Sequence, residues 1–512
     1  VEGYTNFLWT LWMAVVHVAR VPESLTSLAV MASGAALLAV TTVLTGAVAR
    51  RLAPDRPAAA VVAMWLTALS YPLVFWSLRG MEVALVAATT TGAVLLSLRL
   101  RDAPTRPNAL ALGAVVAAAV LTRDDALVTA VVVCAFAAVT AEPSRRKEVG
   151  ATLGAVLLGA VAAHTAFRLA YYGDVVPNTY HLKLGGIGLG TRVERGLTTL
   201  LVTAVSHVGA AVVVAGAGVA SLRRRAHPGV VLVAAVVVAQ AAYSVYVGGD
   251  AWEWMQHANR YLAPVLPGLF VLAGLGVSAL LEKRDEGRPG WLLGVGAASL
   301  ALAGVAWLVG TPAPLEYLAP RESQSALVPV VLLAVVGGSL AAVAVAGQRA
   351  PRALTVGGLT LVLLAALNGG PMARWATDNA VLVGGDEAWT RYGVALRRAT
   401  RPGATVAVAA AGAISYFSDR RSVDMLGKSD REIARGRPHS GPLLTGHVKS
   451  PWNGRLRSAS CVGHPPSADG ATYGRSRPWQ FLLVPTTSSS AWMSTRTRSP
   501  LGSCALAARS PM

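Results

Sequence analysis

The chain has 512 residues, of which 54% are hydrophobic and only 14% are charged, and its mean hydropathy is +0.51. Soluble domains carry roughly 25% charged residues, so this composition excludes an ordinary water-soluble protein and predicts that lipid forms part of its surroundings. The net charge of +19 would suit a nucleic-acid-binding protein. Because the Lys and Arg residues stand in short clusters between apolar runs, they instead indicate cytoplasmic loops, and we predict a lipid bilayer and no nucleic acid as partner.

Apolar segments follow one another along most of the chain. The first, 5–17, is too short to cross a bilayer, and Trp9 and Trp12 are typical of a helix that lies in the interface. A hydrocarbon core of about 30 Å needs roughly 20 apolar residues in a helix, and packed bundles tolerate fewer. About twelve spans are predicted, over residues 24–48, 57–78, 82–98, 109–121, 126–141, 150–171, 195–220, 228–247, 260–281, 290–309, 325–346 and 353–368.

Loop charges predict the orientation of these spans. Arg and Lys concentrate in alternate loops, near residues 50–56, 99–106, 145–147, 223–225, 283–288 and 349–352, which we therefore place in the cytoplasm. The intervening loops, 171–196, 248–260 and 311–325, hold more acids and aromatic residues, as does the chain after about residue 368. We expect that varied side to be the working face. Twelve spans put both chain ends outside, so we also expect a further helix before residue 1.

Three regions follow from this pattern. Residues 1–370 are predicted to form the membrane domain, N-terminally incomplete. Residues 371–449 are predicted to form a small extracytoplasmic α/β domain, because a helix over 386–398 with an acidic first turn precedes a strand-like run over 404–410. Residues 450–512 are rich in Ser, Arg, Pro and Gly and lack periodicity, so we expect disorder or out-of-frame translation there.

Cations on the predicted outer face are candidates for phosphate binding. Unpaired ionisable groups at a membrane boundary are costly, so they usually pair with each other or serve a site. Lys183, His257 and Arg260 lie in outer loops, and Arg79 lies at the junction between two spans. A guanidinium can hold a phosphate through two hydrogen bonds, so these four residues are predicted to bind an anionic group. The alternative for each is an ordinary loop charge at the level of the lipid headgroups.

Carboxylates and aromatic residues occur in the same loops. Asp124, Asp174 and Asp250 could act as a general base or hold a divalent cation, Mg or Mn. The three cysteines show no metal-ligand spacing, and no metal site is assigned. Trp252 suits an interfacial anchor as well as a sugar-stacking platform. The predicted substrate contacts in these clusters are Glu2, Tyr4, Asn6, Glu82, Asn178 and Trp252.

Several of these clusters resemble those of a known group of proteins. The segments are VEGYTNFLW, RGME, LTRDD, YYGDVVPNTYHLK, GGDAWEWMQHANRYLAPVLP and SVDMLGKSDREIAR. They resemble GT-C glycosyltransferases, and most of all the actinobacterial terminal β-(1→2)-arabinofuranosyltransferases and related proteins named flagellar motor control proteins. The resemblance covers roughly residues 1–449. It implies a GT-C-type helical bundle, with the small α/β domain outside the membrane.

The resemblance also implies a function. It implies a polyprenyl-phosphate-sugar donor, decaprenyl-phosphoryl-arabinofuranose, and transfer to a cell-wall polysaccharide such as arabinogalactan on the outer face of the plasma membrane. Lys183 and Arg260, with His257, match positions for the donor phosphate, and Asp174 and Asp250 match positions for acceptor or metal contact. The family's acidic first loop, which carries its usual general base, would precede residue 1. The family's GHEK segment reads GHVK at residues 446–449 here, after which the likeness ends.

Two other hypotheses remain open at this point. A transporter or flippase of lipid-linked substrates would have inverted repeats and broken helices near mid-membrane. The sequence shows no internal repeat, and its charged motifs lie toward one face. The third hypothesis is an inactive, truncated fragment of the transferase, suggested by the departures at both ends of the chain.

Overall fold

The structure is a computed structural model. It describes residues 1–222, 227–250, 258–287, 290–309, 335–341, 343, 351–378, 381–408, 411–438 and 449. The predicted contacts Trp252 and His257, the loop 311–325, most of the predicted span 325–346 and the tail 450–512 lie outside these residues.

Helices make up most of the described chain. Those before residue 310 are α1 (Phe7–Val18), α2 (Glu23–Leu52), α3 (Pro57–Leu69), α4 (Tyr71–Leu78), α5 (Val83–Asp102), α6 (Arg106–Thr122), α7 (Ala126–Thr140), α8 (Arg146–Tyr172), α9 (Asn178–Leu184), α10 (Leu189–Thr203), α11 (Gly209–Leu222), α12 (Pro228–Tyr246), α13 (Leu266–Asp285) and α14 (Gly290–Val309). A π-helical turn, Ala204–Val208, joins α10 to α11, and a 3₁₀ turn, Ala263–Val265, precedes α13. Later elements are α15 (Arg352–Asp378), α16 (Val381–Ala399), β1 (Thr405–Val408), α17 (Ala413–Ser418), β2 (Arg421–Asp424) and α18 (Arg431–Arg435).

The predicted all-α polytopic class is confirmed, although fewer helices pass as spans than the twelve predicted. Seven helices in the described residues are long and apolar enough to cross a membrane, or eight if the bent pair α3 and α4 is one span. Two of the predicted spans correspond to α6 and α7, which have 17 and 15 residues. At a rise of about 1.5 Å per residue these helices fall short of a full crossing.

The centre of the bundle is α13, which packs against α3 and α11. Of the most apolar 18-residue stretch of α13, 94% is buried inside the protein. The corresponding stretch of α8 is only 17% buried, so α8 faces outward. Two glycines allow the close approach. A Cβ on Gly274 would stand 2.3 Å from the carbonyl oxygen of Ala59 in α3, and one on Gly276 would stand 2.1 Å from that of Val214 in α11. Small residues at such contacts are the usual means of packing helices in lipid.

The predicted span 57–78 is broken at Ser70, where α3 and α4 meet at 48°. Pro72 in the first turn of α4 contributes no N–H, which weakens the continuity of the helix. Asn368 of α15 compensates: its Oδ1 accepts from the Tyr71 N–H at 2.7 Å, and its Nδ2 donates to the Leu69 carbonyl at 2.8 Å. A side chain from a neighbouring helix thus satisfies backbone groups that lipid could not.

The helix α1 is present as expected, but Trp9 is not an interfacial anchor. Its side chain is 1% exposed, and its indole N–H donates to the Gly80 carbonyl at 2.9 Å. Trp12, less than one turn further along the same helix, is 41% exposed. The 12 residues of α1 therefore hold one tryptophan in the packing against the α4–α5 turn and leave the other at the surface.

The C-terminal α/β domain is small. β1 and β2 pair in parallel, with Thr405 opposite Arg421 and Val408 opposite Asp424, and α17 makes the crossover. The predicted helix 386–398 and strand 404–410 correspond to α16 and β1. The core contains Leu396 of α16, Val406 and Val408 of β1, and Ile414 of α17. β2 ends at Asp424, and the turn that follows it contacts α9 through Asn178.

Candidate functional site: a cation cluster at the outer loops

Two cations from distant parts of the chain lie against Tyr261, and a third, Lys428, lies close enough to feel their charges. Lys183 comes from α9, Arg260 from the turn before α13, and Lys428 from the turn after β2. Lys183 Nζ donates to the Tyr261 hydroxyl at 2.8 Å and lies 5.4 Å from its ring centroid. The Arg260 guanidinium lies 5.9 Å from the same ring and 5.8 Å from that of Trp76.

Lys428 belongs to this cluster electrostatically. Burial lowers the pKa of Lys428, and the positive charges of Arg260 and Lys183 lower it further against the opposing effect of Asp424 and Asp250. Like charges gathered in a partly buried place repel unless an anion joins them. We call Lys183, Arg260 and Lys428 the cation cluster.

Asp250 holds Arg260 in place. Its Oδ1 lies 3.1 Å from Arg260 Nη2, and its Oδ2 accepts from the Arg260 backbone N–H at 3.2 Å. Gly248 and Gly249, both at positive φ, form the turn that leads to Asp250, whose side chain is 1% exposed. Because the Asp250 carboxylate is buried and paired, it is suited to positioning Arg260. It is poorly placed to contact an acceptor substrate, so another carboxylate is favoured for that predicted role.

Arg123 forms a buried ionic network next to the cation cluster. Its Nε and Nη2 donate to the two Asp125 oxygens, each at 2.7 Å, and its Nη1 lies 3.5 Å from Glu82. The Arg123 guanidinium also lies over the Tyr261 ring at 5.1 Å. The predicted substrate contacts Glu82 and Asn6 belong to this network, because Asn6 Nδ2 donates to Glu82 at 3.1 Å.

Asp124 faces a second group of charges. Its Oδ2 accepts from Arg168 Nη2 at 2.8 Å, and Arg168 Nε lies 2.8 Å from Glu2. His164 Nδ1 is 4.0 Å from the other Asp124 oxygen. The Asp124 side chain is 37% exposed, compared with 19% for Asp174 and 1% for Asp250. Of the three predicted carboxylates, Asp124 is the most accessible, and it adjoins Arg123 in the chain.

Asp174 attaches the C-terminal domain to the outer loop. It accepts from Arg435 and lies 3.3 Å from His181 and 3.7 Å from Arg431. Burial opposes its ionisation, but hydrogen bonds from the Val176 and Val175 backbone, together with the neighbouring positive charges, hold the pKa of Asp174 below its ordinary value. Asp174 is therefore a charged attachment point between the loop before α9 and the helix α18.

Asn178 makes the same attachment through hydrogen bonds. Its Nδ2 lies 2.9, 3.1 and 3.0 Å from the carbonyl oxygens of Gly427, Lys428 and Asp430, and the Asn178 backbone N–H donates to Glu2. A Cβ on Gly3 would stand 2.4 Å from Ser429 Oγ, so the N-terminal segment also lies close to this turn. These contacts fix the backbone that carries Lys428 against α9, which carries Lys183.

We expect Asn178→Ala to destabilise this junction. The substitution leaves buried carbonyl oxygens without their donor, which costs about 1–3 kcal/mol. The measurement is thermal unfolding of the purified chain, with limited proteolysis near residue 436. Asn108→Ala, which removes a side-chain bond to Ala103 at the opposite end of the bundle, is the matched control. Equal proteolytic resistance in Asn178→Ala and wild type would contradict the attachment.

The remaining predicted residues are placed as follows. The Arg79 guanidinium lies 5.4 Å from the Phe75 ring, and its role in phosphate binding stays a prediction. Tyr4 shares a hydrogen bond of 2.8 Å with Tyr172. Neither His257 nor Trp252 is among the described residues.

Sequence reasoning missed Lys428, Tyr261, Arg168 and His164 as site residues. The segments DMLGKSDREIAR and HANRYLAP contain the first two, so the resemblance marked their neighbourhood without singling them out. Arg168 and His164 had a signal of their own, because charged or titratable residues inside an apolar run are functional candidates by default.

The carboxylates of this face do not fit a divalent cation site. In the described residues no three His, Cys, Asp or Glu side chains gather closely enough to hold a metal. Asp124, Asp174 and Asp250 are instead each paired with an arginine. We derive no step through Mg or Mn.

The fold is that of a multi-span helical membrane protein with an attached α/β domain, and the cation cluster lies where the two meet. Residues 373–460 match a family described as a domain of unknown function, DUF8728. No curated protein matches the chain. A solved structure, ArnT from Cupriavidus metallidurans in the apo state, is similar with 16% identity and a TM-score of 0.49, covering 83% of this chain and 75% of that one. At these values the likeness decides nothing about chemistry.

Proposed function

We propose that the chain is a membrane glycosyltransferase that uses a polyprenyl-phosphate-linked sugar as donor. The observation that carries the proposal is that Lys183 and Arg260 lie against Tyr261, with the charge of Lys428 close enough to interact with both. A lipid-linked donor needs cations for its phosphate, together with aromatic and apolar surroundings for the atoms on either side. Preorganised cations of this kind also stabilise the charge that develops on a leaving phosphate.

In the proposed reaction, an acceptor hydroxyl attacks the anomeric carbon of the donor sugar. The bond from that carbon to the phosphate oxygen breaks, and the polyprenyl phosphate leaves with the electron pair. The acceptor's proton passes to a carboxylate. Of the predicted carboxylates we assign this role to Asp124, because it is the most exposed of the three and lies beside Arg123, which contacts the Tyr261 ring.

The finer identity of the substrates rests on the sequence resemblance. It supports decaprenyl-phosphoryl-arabinofuranose as donor and a cell-wall polysaccharide, arabinogalactan, as acceptor. The arginine-rich loops support a plasma-membrane location with the cation cluster on the extracytoplasmic side. Fold and charge alone do not set the sugar, because one scaffold can carry many specificities.

A transfer assay with the chain reconstituted into proteoliposomes tests the proposal. Proteoliposomes receive radiolabelled polyprenyl-phosphoryl-arabinofuranose and an arabinan oligosaccharide, and labelled product is separated by chromatography. We expect elongated acceptor together with released polyprenyl phosphate. Translocation of the donor across the vesicle membrane without any transfer would support the flippase alternative. The absence of both transfer and translocation would support an inactive fragment.

The lowered pKa of Lys428 predicts a pH dependence of donor affinity. A lysine with a lowered pKa loses its charge at a lower pH, so donor affinity should begin to fall well before the ordinary lysine pKa of about 10.4. Lys428→Arg should keep its affinity over the same range, because a guanidinium stays charged. The measurement is the Kd of a short-chain polyprenyl phosphate against pH. Superimposable profiles for the two proteins would contradict a role for Lys428 in binding.

A further inference from the structure

An apolar groove lies between α3 and α15, on the outside of the bundle. Its volume is about 630 Å³. Val61, Trp65 and Leu69 of α3 form one wall, and Val356, Leu361 and Leu364 of α15 line the other. Trp65 and Leu361 are 53% and 68% exposed. The hydroxyl of Thr360, which also lines the groove, donates back to the Val356 carbonyl at 2.7 Å, so the walls offer almost purely apolar contact.

The groove has one charged end. Arg352, at the start of α15, lines it there, and its side chain is 48% exposed and 3.6 Å from Asp285. Arg56 immediately precedes α3 at the same end and pairs with Glu282 at 2.6 Å. Both arginines belong to loops whose charge indicates the cytoplasmic side. Basic pockets between spans on that side are suited to anionic lipid headgroups.

The length of the groove favours a lipid of the cytoplasmic leaflet. The 13 residues of α3 extend for about 20 Å at 1.5 Å per residue, slightly more than one leaflet of a hydrocarbon core of about 30 Å. At the other end α3 bends at Ser70, and Asn368 joins Leu69 to Tyr71 across the top. An acyl chain entering beside Arg352 can therefore fill the groove up to the bend.

We propose that this groove binds an anionic phospholipid, with one acyl chain between α3 and α15 and the phosphate at Arg352. The lipid would cover the exposed Trp65 and fill the space between the two helices. This site is separate from the cation cluster and does not depend on the transferase function.

Two glycines provide matched test variants. A Cβ on Gly357, which lines the groove, or on Gly358 beside it, would meet no atom within 4 Å, so either position accepts a larger side chain without a clash. Gly357→Leu fills the groove, whereas Gly358→Leu makes the same change on an adjacent face. Arg352→Gln removes the charge at the headgroup end.

The experiment is native mass spectrometry of the delipidated full chain with phosphatidylglycerol or phosphatidylcholine, alongside thermal unfolding without lipid. We expect phosphatidylglycerol to bind wild type and Gly358→Leu alike, with affinity at least about tenfold lower for Gly357→Leu. Arg352→Gln should lose the preference for phosphatidylglycerol. Unchanged binding to Gly357→Leu, equal binding of the two lipids to wild type, or photo-crosslinking of a polyprenyl phosphate in place of the phospholipid would each overturn the proposal.

Discussion

Lys183→Met should lower kcat/KM for the polyprenyl-phosphate donor by about 10²–10³-fold, the usual effect of removing one group that stabilises charge in a transition state. Lys183 is the member of the cation cluster best suited to a test, because its hydrogen bond is to the neutral Tyr261 hydroxyl. Its loss leaves no buried carboxylate behind. Arg260→Ala, in contrast, would remove the guanidinium that pairs with the buried Asp250, which is 1% exposed, and would destabilise the protein.

The control for this variant is Lys147→Met, the same change in an exposed lysine of a predicted cytoplasmic loop. Its transfer rate should equal that of wild type. Rates are measured on purified protein in the proteoliposome assay, after thermal unfolding has shown that all three proteins are equally stable. If Lys183→Met were as active as Lys147→Met, a role for Lys183 in binding the donor phosphate would be contradicted.

Asp124→Asn should lower the rate of transfer by about 10²–10⁴-fold, the range that a positioned general base contributes. Donor affinity should change little, because the cation cluster is left intact. Arg168 would keep its contact with Glu2 at 2.8 Å, so the variant leaves no unpaired cation. A fall in kcat at unchanged donor Kd is the signature that a merely structural role would not give.

Asp55→Asn, in an exposed loop at the opposite end of the bundle, is the matched control for that variant. Asp174→Asn provides a second comparison, because it should loosen the C-terminal domain from α9. It should therefore lower thermal stability more than the rate of transfer. If Asp124→Asn retained full kcat while Asp174→Asn lost it, the assignment of the base to Asp124 would be wrong.

The spans could be predicted from sequence because each is a local pattern. The predicted 150–171 and 228–247 correspond closely to α8 and α12, since a continuous apolar run with charged ends determines a helix by itself. The break at Ser70 was missed, although Pro72 was visible in the sequence. Asn368, which makes that break tolerable, comes from a helix at the other end of the chain, and no local pattern reveals it.

The site could be predicted only in part for the same reason. Lys183 and Arg260 stood out as charges in outer loops, and the structure brings both to Tyr261. Lys428 is brought near them only by the folded chain, because Asn178 donates a hydrogen bond to the Lys428 carbonyl in the turn after β2. Asp250 looked like a candidate for acceptor contact because sequence shows residue type, whereas burial and pairing with Arg260 appear only in three dimensions.

Binding of a short-chain polyprenyl phosphate to the detergent-solubilised full chain tests the cation cluster most directly, because it needs neither the acceptor nor turnover. The account predicts saturable binding to wild type and Lys147→Met, and affinity at least about a hundredfold lower for the double variant Lys183→Met/Lys428→Met, a loss of about 2.7 kcal/mol. Equal affinity in the double variant and wild type would contradict it.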